Sequence, residues 1–364
     1  MSERSENVEL KPAVRRGRVT LEDVATATGL GRTTISDILN RDEAGRYSDQ
    51  TRKLVAKAVR ELGYAPARAA QQLARGRSGL IGLLLTRDFT NPFFARVADL
   101  VERTVRERGY RLQLAIAAGD QKTELDRIRQ MQGDAVEGLI VGPVYEQLDI
   151  EQHRSVFGGG LPMVLFGGPF DSEFDHVALD HQAGWRVRIE YLKRQGHQRI
   201  AVLCLPPSRE TSEPTNPPHL GLQLMKRAGV LDLDWVQWQP DTGHFADSYG
   251  ACLKFARRWK TTRKADRPTA AICLNDQVAM TALSAFAQQG IRVPADLSIV
   301  GYDNLPESAY LVPPLTTVDN NVNEQMEACV ELLIDRIAHP GRERVVRTIR
   351  PKLVMRESIL AIEP

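Results

Sequence analysis

Arg32, Thr33, Ser36 and Asp37 are hydrogen-bonding residues spaced so that a helix beginning near Arg32 carries them on one side, with Ile35, Ile38 and Leu39 on the other. A short helix with a narrow apolar stripe and a polar outer face suits the DNA major groove, where such side chains reach base edges. The residues before it form a partner helix. Thr20 is placed to cap its N-terminus, Asp23 follows at capping-box spacing, and Leu21, Val24 and Ala25 make its buried stripe. Gly29 supplies the positive φ that ends it. Val19–Asn40 thus reads as two short helices joined by a tight turn, with a purely structural hairpin as the alternative.

Enzymatic chemistry finds no comparable foothold. The sequence holds no G-x-S-x-G, no H-E-x-x-H, no G-x-x-x-x-G-K-[ST] and no G-x-G-x-x-G after a strand; the Gly158–Gly160 run reads as a loop. The 7 histidines show no ligand spacing, and Cys204, Cys252, Cys273 and Cys329 sit singly in apolar segments. No catalytic residue, cofactor or metal site is therefore expected, and reduced core cysteines fit a cytoplasmic setting.

With 364 residues, 42% of them hydrophobic, the chain can bury more than one core. It has no run of apolar residues long enough to span a membrane, and its opening, MSERSENVELK, has no apolar signal region, so neither membrane insertion nor export is expected. The net charge of +2 is unevenly spread: residues 1–77 hold 15 Lys+Arg against 10 Asp+Glu, the remainder 33 against 36. A basic head on a slightly acidic body suits nucleic-acid binding.

Along the chain, residues 1–18 lack apolar periodicity and read as a disordered basic tail. After the two-helix unit, Ser48 caps a third helix with Leu54, Val55, Ala58, Val59 and Leu62 as its stripe and Gly63 as its stop. Residues 66–79 read as a short helix opened by Pro66 or as a flexible linker. From Leu80 onward strand-length apolar runs (Ile81–Leu85, Leu112–Ala117, Gly138–Val141, Met163–Phe166, Ile200–Leu205, Thr269–Leu274, Leu297–Val300) alternate with helical periodicity. That alternation predicts doubly wound parallel sheets, too much chain for one, hence two lobes with ligands at the carboxyl ends of the strands.

Val19, Thr20, Asp23, Val24, Ala25, Gly29, Thr34, Ser36, Leu39 and Asn40 stand in register with VT-x-x-DVA-x-x-AGVS-x-x-TVS-x-x-LN, and here the chain resembles the lactose-repressor (LacI/GalR) family of bacterial transcription regulators. The resemblance continues through NPFF at 91–94, ND at 275–276 and VGYDN at 300–304, covering about residues 19–359. It implies an all-α helix-turn-helix headpiece (19–65), a hinge (66–79) and a periplasmic-binding-protein-like α/β body (80–364). Lobe 1 would comprise about 80–178 and 318–340, lobe 2 about 179–317 and 341–362. The implied function is a sequence-specific repressor, a homodimer on a near-palindromic double-stranded operator, controlled by a small effector, a sugar or sugar derivative. No leucine heptad follows Ser358, so no tetramer-forming tail is expected.

The resemblance also implies site residues. DNA would be met by Thr20, Arg32, Thr33, Thr34, Ser36, Asp37, Asn40 and Arg68, with Leu73 wedged into the central minor groove. The effector would be met by Phe93, Phe94, Asp180, Arg209, Thr211, Phe245, Asn275 and Asp303, rings stacking on apolar sugar faces and carboxylate and amide taking hydroxyls. Core packing or helix capping is the alternative for Phe93, Phe94 and Asp276, and capping for Asp180. Three departures stand out. Ala67 replaces the usual hinge Asn, Asp37 stands where many members carry Arg, and Pro217 or Pro218 takes the place of a ligand-clasping arginine. The effector site is then rebuilt with Arg209 or His219, or takes no small effector. A transport or chemotaxis receptor on the same fold is the rival, and the N-terminal head argues against it.

Overall fold

The computed structural model describes residues 19–40, 46–65, 77–85, 89–117, 121–142, 160–167, 174–205, 217–238 and 245–362. The chain divides into two compact units, Met1–Ser78 and Gly79–Pro364. The expected tail, and Arg68 and Leu73 of the expected hinge, lie outside the described residues, as do Arg209 and Thr211.

In the first unit α1 (Leu21–Thr28), α2 (Arg32–Asn40) and α3 (Asp49–Leu62) surround a small core of Val24, Ala25, Ile35, Val55 and Ala58. Thr20 caps α1 in a full capping box: Asp23 N–H donates to Thr20 Oγ1 at 3.4 Å, and Thr20 N–H donates to Asp23 Oδ2 at 2.8 Å. Gly29 ends α1 at φ 67°, and Ser48 caps α3 by accepting from Thr51 N–H at 3.2 Å. Leu54 departs from its expected burial and is exposed. It stands roughly a quarter turn from the stripe centred on Val55, Ala58 and Leu62.

The second unit holds two parallel sheets. The first contains β1 (Leu80–Leu85), β2 (Arg111–Ile116), β3 (Gly138–Gly142), β4 (Met163–Gly167), β5 (Asp175–Leu179) and, late in the chain, β11 (Val346–Ile349), in the order β11-β5-β4-β3-β1-β2. Helices α4 (Pro92–Glu107) and α10 (Val322–Ala338) cover one face, meeting Ile81, Leu83 and Ile140; α5 (Gln121–Gly133) covers the other, meeting Leu84, Leu139 and Val141. The second sheet, β7-β6-β8-β9, is built from β6 (Ile200–Leu205), β7 (Leu231–Trp238), β8 (Ala270–Cys273) and β9 (Ser298–Val300). Its alternate side chains divide as a sheet buried on both faces requires. Ala201, Leu203, Ala271 and Cys273 pack on α8 (Phe245–Thr261) and α9 (Asp276–Gln288); Ile200, Val202, Ala270 and Ile272 pack on α6 (His181–Arg194) and α7 (Pro217–Arg227). Between the lobes β10 (Thr317–Asp319) and β12 (Lys352–Val354) pair antiparallel as crossing segments. No helix among the described residues is long and apolar enough to cross a membrane.

The chain returns to the second lobe later than the sequence suggested. Residues 341–349 belong to the first lobe, because β11 pairs with β5 in the register Val346↔His176 to Ile349↔Leu179. A buried carboxylate holds this return. Asp175, its side chain fully buried, accepts from Arg336 Nε (2.9 Å) and Nη2 (3.0 Å), from Arg342 Nη1 (2.9 Å) and Nη2 (2.8 Å), and from Val345 N–H (2.8 Å). Burial pushes its carboxyl up, but the two guanidinium groups and Val345 outweigh this and hold it below its ordinary value. The stability it contributes is complete above the unfolded carboxylate pKa and is lost as pH falls through the lower folded value. Asp175→Asn should cost about 3 kcal/mol in urea unfolding at pH 7, the penalty of stripping a partner from buried charges. The deficit should shrink toward about pH 3; an unchanged deficit there would assign the effect to packing.

Candidate functional site

In the first unit Arg32 and Thr33 open α2 on its exposed side, Arg32 3.3 Å from Glu22. Thr34 and Ser36 are half-buried; Asn40 closes the helix, its side chain outside the described residues. Thr20 is exposed, with its hydroxyl engaged to Asp23 Oδ2 at 2.7 Å. Asp37 differs from the others: it accepts from Tyr47 Oη at 3.2 Å and lies 3.5 Å from Arg46 Nη1. Arg46 and Tyr47 were not among the expected site residues. Neither belongs to a periodic segment, and only folding brings them to α2.

In the second unit several expected groups converge at the carboxyl ends of β8 and β9. Asn275 caps α9, its Oδ1 accepting from Val278 N–H at 2.9 Å, which leaves its amide NH₂ for other partners. Asp180 caps α6 in the same way, with Ala183 N–H at 2.8 Å. Asp303 follows β9 at φ 110° and is buried; Asn320 Nδ2, from the crossing segment, donates to its Oδ1 at 3.2 Å. Burial and the nearby Asp276 push its carboxyl well up, with Arg188 and Arg96 opposing.

Asp276 is a structural group. It accepts from Leu305 N–H (2.9 Å), Ser308 Oγ (2.6 Å) and Thr317 Oγ1 (2.5 Å), and burial raises its pKa to about 6 against those bonds.

Arg188, on α6, was missed because a cation in an amphipathic helix reads as solvent-facing. It is buried, its guanidinium 4.2 Å from the Trp185 ring centroid and 4.9 Å from that of Tyr302. Nε donates to Gly184 O at 3.1 Å and Nη1 to Cys273 O at 3.0 Å. Burial lowers its pKa to about 10, with Tyr302, Cys273, Asp303 and Asp276 opposing, so it stays charged at neutral pH. Burial and Arg188 push His181 down to about 4, leaving a neutral imidazole beside Asp180.

Phe93 and Phe94 open α4 of the other lobe, half-buried, with centroids 5.4 Å apart edge to face. Two residues on, Arg96 reaches across to Asn304 O (3.0 Å) in the loop after β9. Phe245 opens α8 and lines a shallow apolar depression of about 350 Å³ with Ala246, Tyr249, Met280, Thr281 and Ser284. Pro217 and Pro218 begin α7, where a fixed φ and a missing N–H are tolerated. Among the described residues no cluster of His, Cys, Asp and Glu could hold a metal ion.

A helix-turn-helix head, and a two-lobed α/β body whose polar groups meet at the carboxyl ends of parallel strands, define a DNA-binding regulator. Comparison with known proteins gives the same class. Residues 20–67 match the model for bacterial regulatory proteins of the lacI family, and residues 189–359 that for a periplasmic binding protein-like domain. The HTH-type transcriptional repressor PurR of Photobacterium profundum is 32% identical over 345 residues, 93% of this chain and 98% of the relative. Its counterpart in Aliivibrio fischeri (strain MJ11) is 31% identical, covering 94% and 98%. Among solved structures, the Lac repressor dimer bound to operator and the anti-inducer ONPF aligns with a TM-score of 0.78 at 25% identity, over 95% of this chain and 100% of that one. The transcriptional regulator CelR–cellobiose complex aligns at 0.64 and 26% identity, over 94% and 100%. The chain belongs to the lacI family and is a DNA-binding transcriptional repressor, not an enzyme.

Asp303 offers a pH test of its burial. A raised carboxyl stabilises the fold while protonated, and that contribution is lost as pH rises through its folded pKa. Asp303→Asn keeps an acceptor for Asn320 and removes the charge. It should melt with wild type near pH 4 and above it by roughly 2–4 °C near pH 8, the shift about 1 kcal/mol gives a domain of this size. Equal differences at both pH values would mean that the carboxyl is not held out of water.

Proposed function

We propose that the cleft facing Asp303 binds a small polyhydroxyl effector, a sugar or sugar derivative, and that this binding alters operator affinity. One observation carries the reading: Asp303 is a buried carboxyl group at a strand's carboxyl end, tied to a crossing segment by Asn320, in the lobe that holds the aromatic-stacked Arg188. Carboxylate and guanidinium together match a ligand that both donates and accepts, and the Asn275 amide adds a further donor. The cellobiose complex of a relative supports a carbohydrate. Phe93 and Phe94 would supply the apolar wall, and Arg209 and Thr211 further polar contacts.

On DNA, Arg32, Thr33, Thr34 and Ser36 would meet each half-site of a near-palindrome in the cytoplasm. Thr20, Asn40 and Arg68 would contact the duplex around it, and Leu73 would open its centre. A homodimer follows from that symmetry. The depression between α8 and α9, in a lobe that also exposes Tyr310 (85%) and Val312 (91%), is its proposed seam.

Thermal melting against neutral sugars, polyols, nucleosides and sugar phosphates tests the effector. A hit should raise the wild-type melt by several degrees and leave Asp303→Ala unmoved. No shift from any compound, with DNA binding intact, would mean that the prolines opening α7 have dismantled the site. Met280→Glu, which places a charge in the depression, should convert dimer to monomer by light scattering; an unchanged mass would move the seam elsewhere.

A further inference from the structure

The helices of the second lobe run against its parallel strands, so α6, α7, α8 and α9 all end at the strands' amino ends, opposite the end that carries Asn275 and Asp303. Cations crowd there. Lys254–Arg267, the last two turns of α8 and the turn before β8, holds 7 Lys+Arg and 1 acid, while the rest of residues 78–364 holds 26 against 35. Lys193 and Arg194 end α6, and Lys226 and Arg227 end α7. Helix C-termini favour cations, and part of the set is spent on their carbonyls. Lys193 Nζ donates to Ala228 O at 2.9 Å, Arg199 Nε to Arg267 O at 3.0 Å, and Arg267 to Thr262 O and Lys260 O, both at 2.7 Å. These bonds tie the ends of α6, α7 and α8 into one surface. They leave Arg227, Lys254, Arg257, Lys260 and Lys264 exposed, with no side-chain bond among the described residues. The acids beside them are engaged: Asp266 lies 2.7 Å from Arg263 Nη2 and Asp296 2.9 Å from Arg292 Nη2, while Asp232 and Asp234 stand aside on the edge strand β7.

We propose that this end of the second lobe is a second DNA-binding face, which holds the phosphates of a duplex segment other than the one read by the helix-turn-helix head. Its excess charge has no protein counterpart, and a duplex presents one negative charge per roughly 1.7 Å of its axis. A protein partner fits less well. Interfaces between proteins are anchored by aromatic and apolar side chains and are depleted of lysine. Here the rings of Lys254–Arg267, Phe255 and Trp259, are buried, and Arg267 stacks 4.4 Å from the Trp259 centroid. Buried rings also argue against a single strand, whose bases need exposed aromatic platforms. What remains is long, mobile cations on a surface without reading elements, which suits sequence-independent contact with a duplex backbone. A repressor with such a face would bridge two stretches of DNA.

The test loads the full-length protein on an immobilised duplex of scrambled sequence and measures capture of a second, fluorescent duplex across a salt series. Wild type is compared with the triple variant Arg257→Gln, Lys260→Gln, Lys264→Gln, whose side chains support no other contact and whose melt should be unchanged. The variant should load on the first duplex as wild type does and capture the second at least 5-fold less. Its plot of log capture constant against log salt should be shallower by about 3, since each phosphate contact contributes about 0.9. The single variants Lys260→Gln and Lys264→Gln should each remove about one unit of slope, which keeps the test decisive if the triple variant misfolds. Equal capture by wild type and variant would assign bridging to the heads and overturn the proposal. So would no capture by wild type at physiological salt, which would leave the cations as helix-end compensation. Binding of polyglutamate to this face without duplex capture would point to an acidic protein and overturn it as well.

Discussion

Asp276 is the fixed point on which the carboxyl end of the second lobe's sheet is assembled. Its two oxygens accept from the backbone of Leu305, the hydroxyl of Ser308 and the hydroxyl of Thr317, while its own N–H donates to Tyr302 O at 2.7 Å. These partners come from the loop after β9, a short 3₁₀ turn at Pro306–Ala309 and the crossing strand β10. A carboxylate so deeply buried would be intolerable without them. The approach also dictates a residue type: a Cβ on Gly301 would lie 2.1 Å from Asp276 Oδ1, so glycine alone admits the carboxylate. Two neighbouring carboxylates thus divide their work by environment. Asp276 is saturated and organises the loop, whereas Asp303, which that loop carries, is left with capacity to recognise something else.

Arg188 makes this concentration of negative charge tenable. A guanidinium can be buried because its faces are weakly hydrated and stack on aromatic rings, here Trp185 and Tyr302. Room for the stack comes from absent side chains: a Cβ on Gly184 would lie 2.8 Å from the Tyr302 ring, and one on Gly221 2.2 Å from the Trp185 indole. The cation enters from α6, beneath the sheet's carboxyl end, while α7 opens on two prolines.

Local periodicity and capping made much of this legible. The capping box at Thr20, the cap at Ser48 and the stops at Gly29 and Gly63 all follow from short-range pattern, and the structure forms each of them. The strand runs located β1 to β4, β6, β8 and β9. What escaped depends on long-range contacts. β7 reads LDLDWVQW, an alternation proper to an edge strand, and β11 reads VRTI, too short and polar to announce itself. The place where the chain returns to the second lobe is set by Asp175 gathering two arginines more than 160 residues away in sequence. Arg188 and Asp37 are the same lesson at the sites: each is a charged residue on an amphipathic helix, and only tertiary partners decide that it faces inward.

Coupling between the lobes has a physical route in these contacts. Each sheet has its own apolar clusters on both faces; the lobes meet through a small apolar cluster of Leu179, Tyr302 and Val318 and through polar contacts. The polar contacts include Arg96, itself donating to Asn323 Oδ1 within the first lobe, donating to Asn304 O in the loop after β9, and Asn320 donating to Asp303. Asn320 O in turn accepts from Gln325 Nε2 on α10, which lies along the first lobe's sheet. A ligand engaging Asp303, as proposed above, would compete with or reinforce a bond whose other end is anchored in the first lobe. A ligand shifts an equilibrium only by its differential affinity for the two arrangements. Contacts confined to the second lobe would add affinity without any shift. On the proposed reading the differential term would arise where Asp303, Asn304 and Arg96 meet, because there one ligand would touch groups whose partners belong to both lobes.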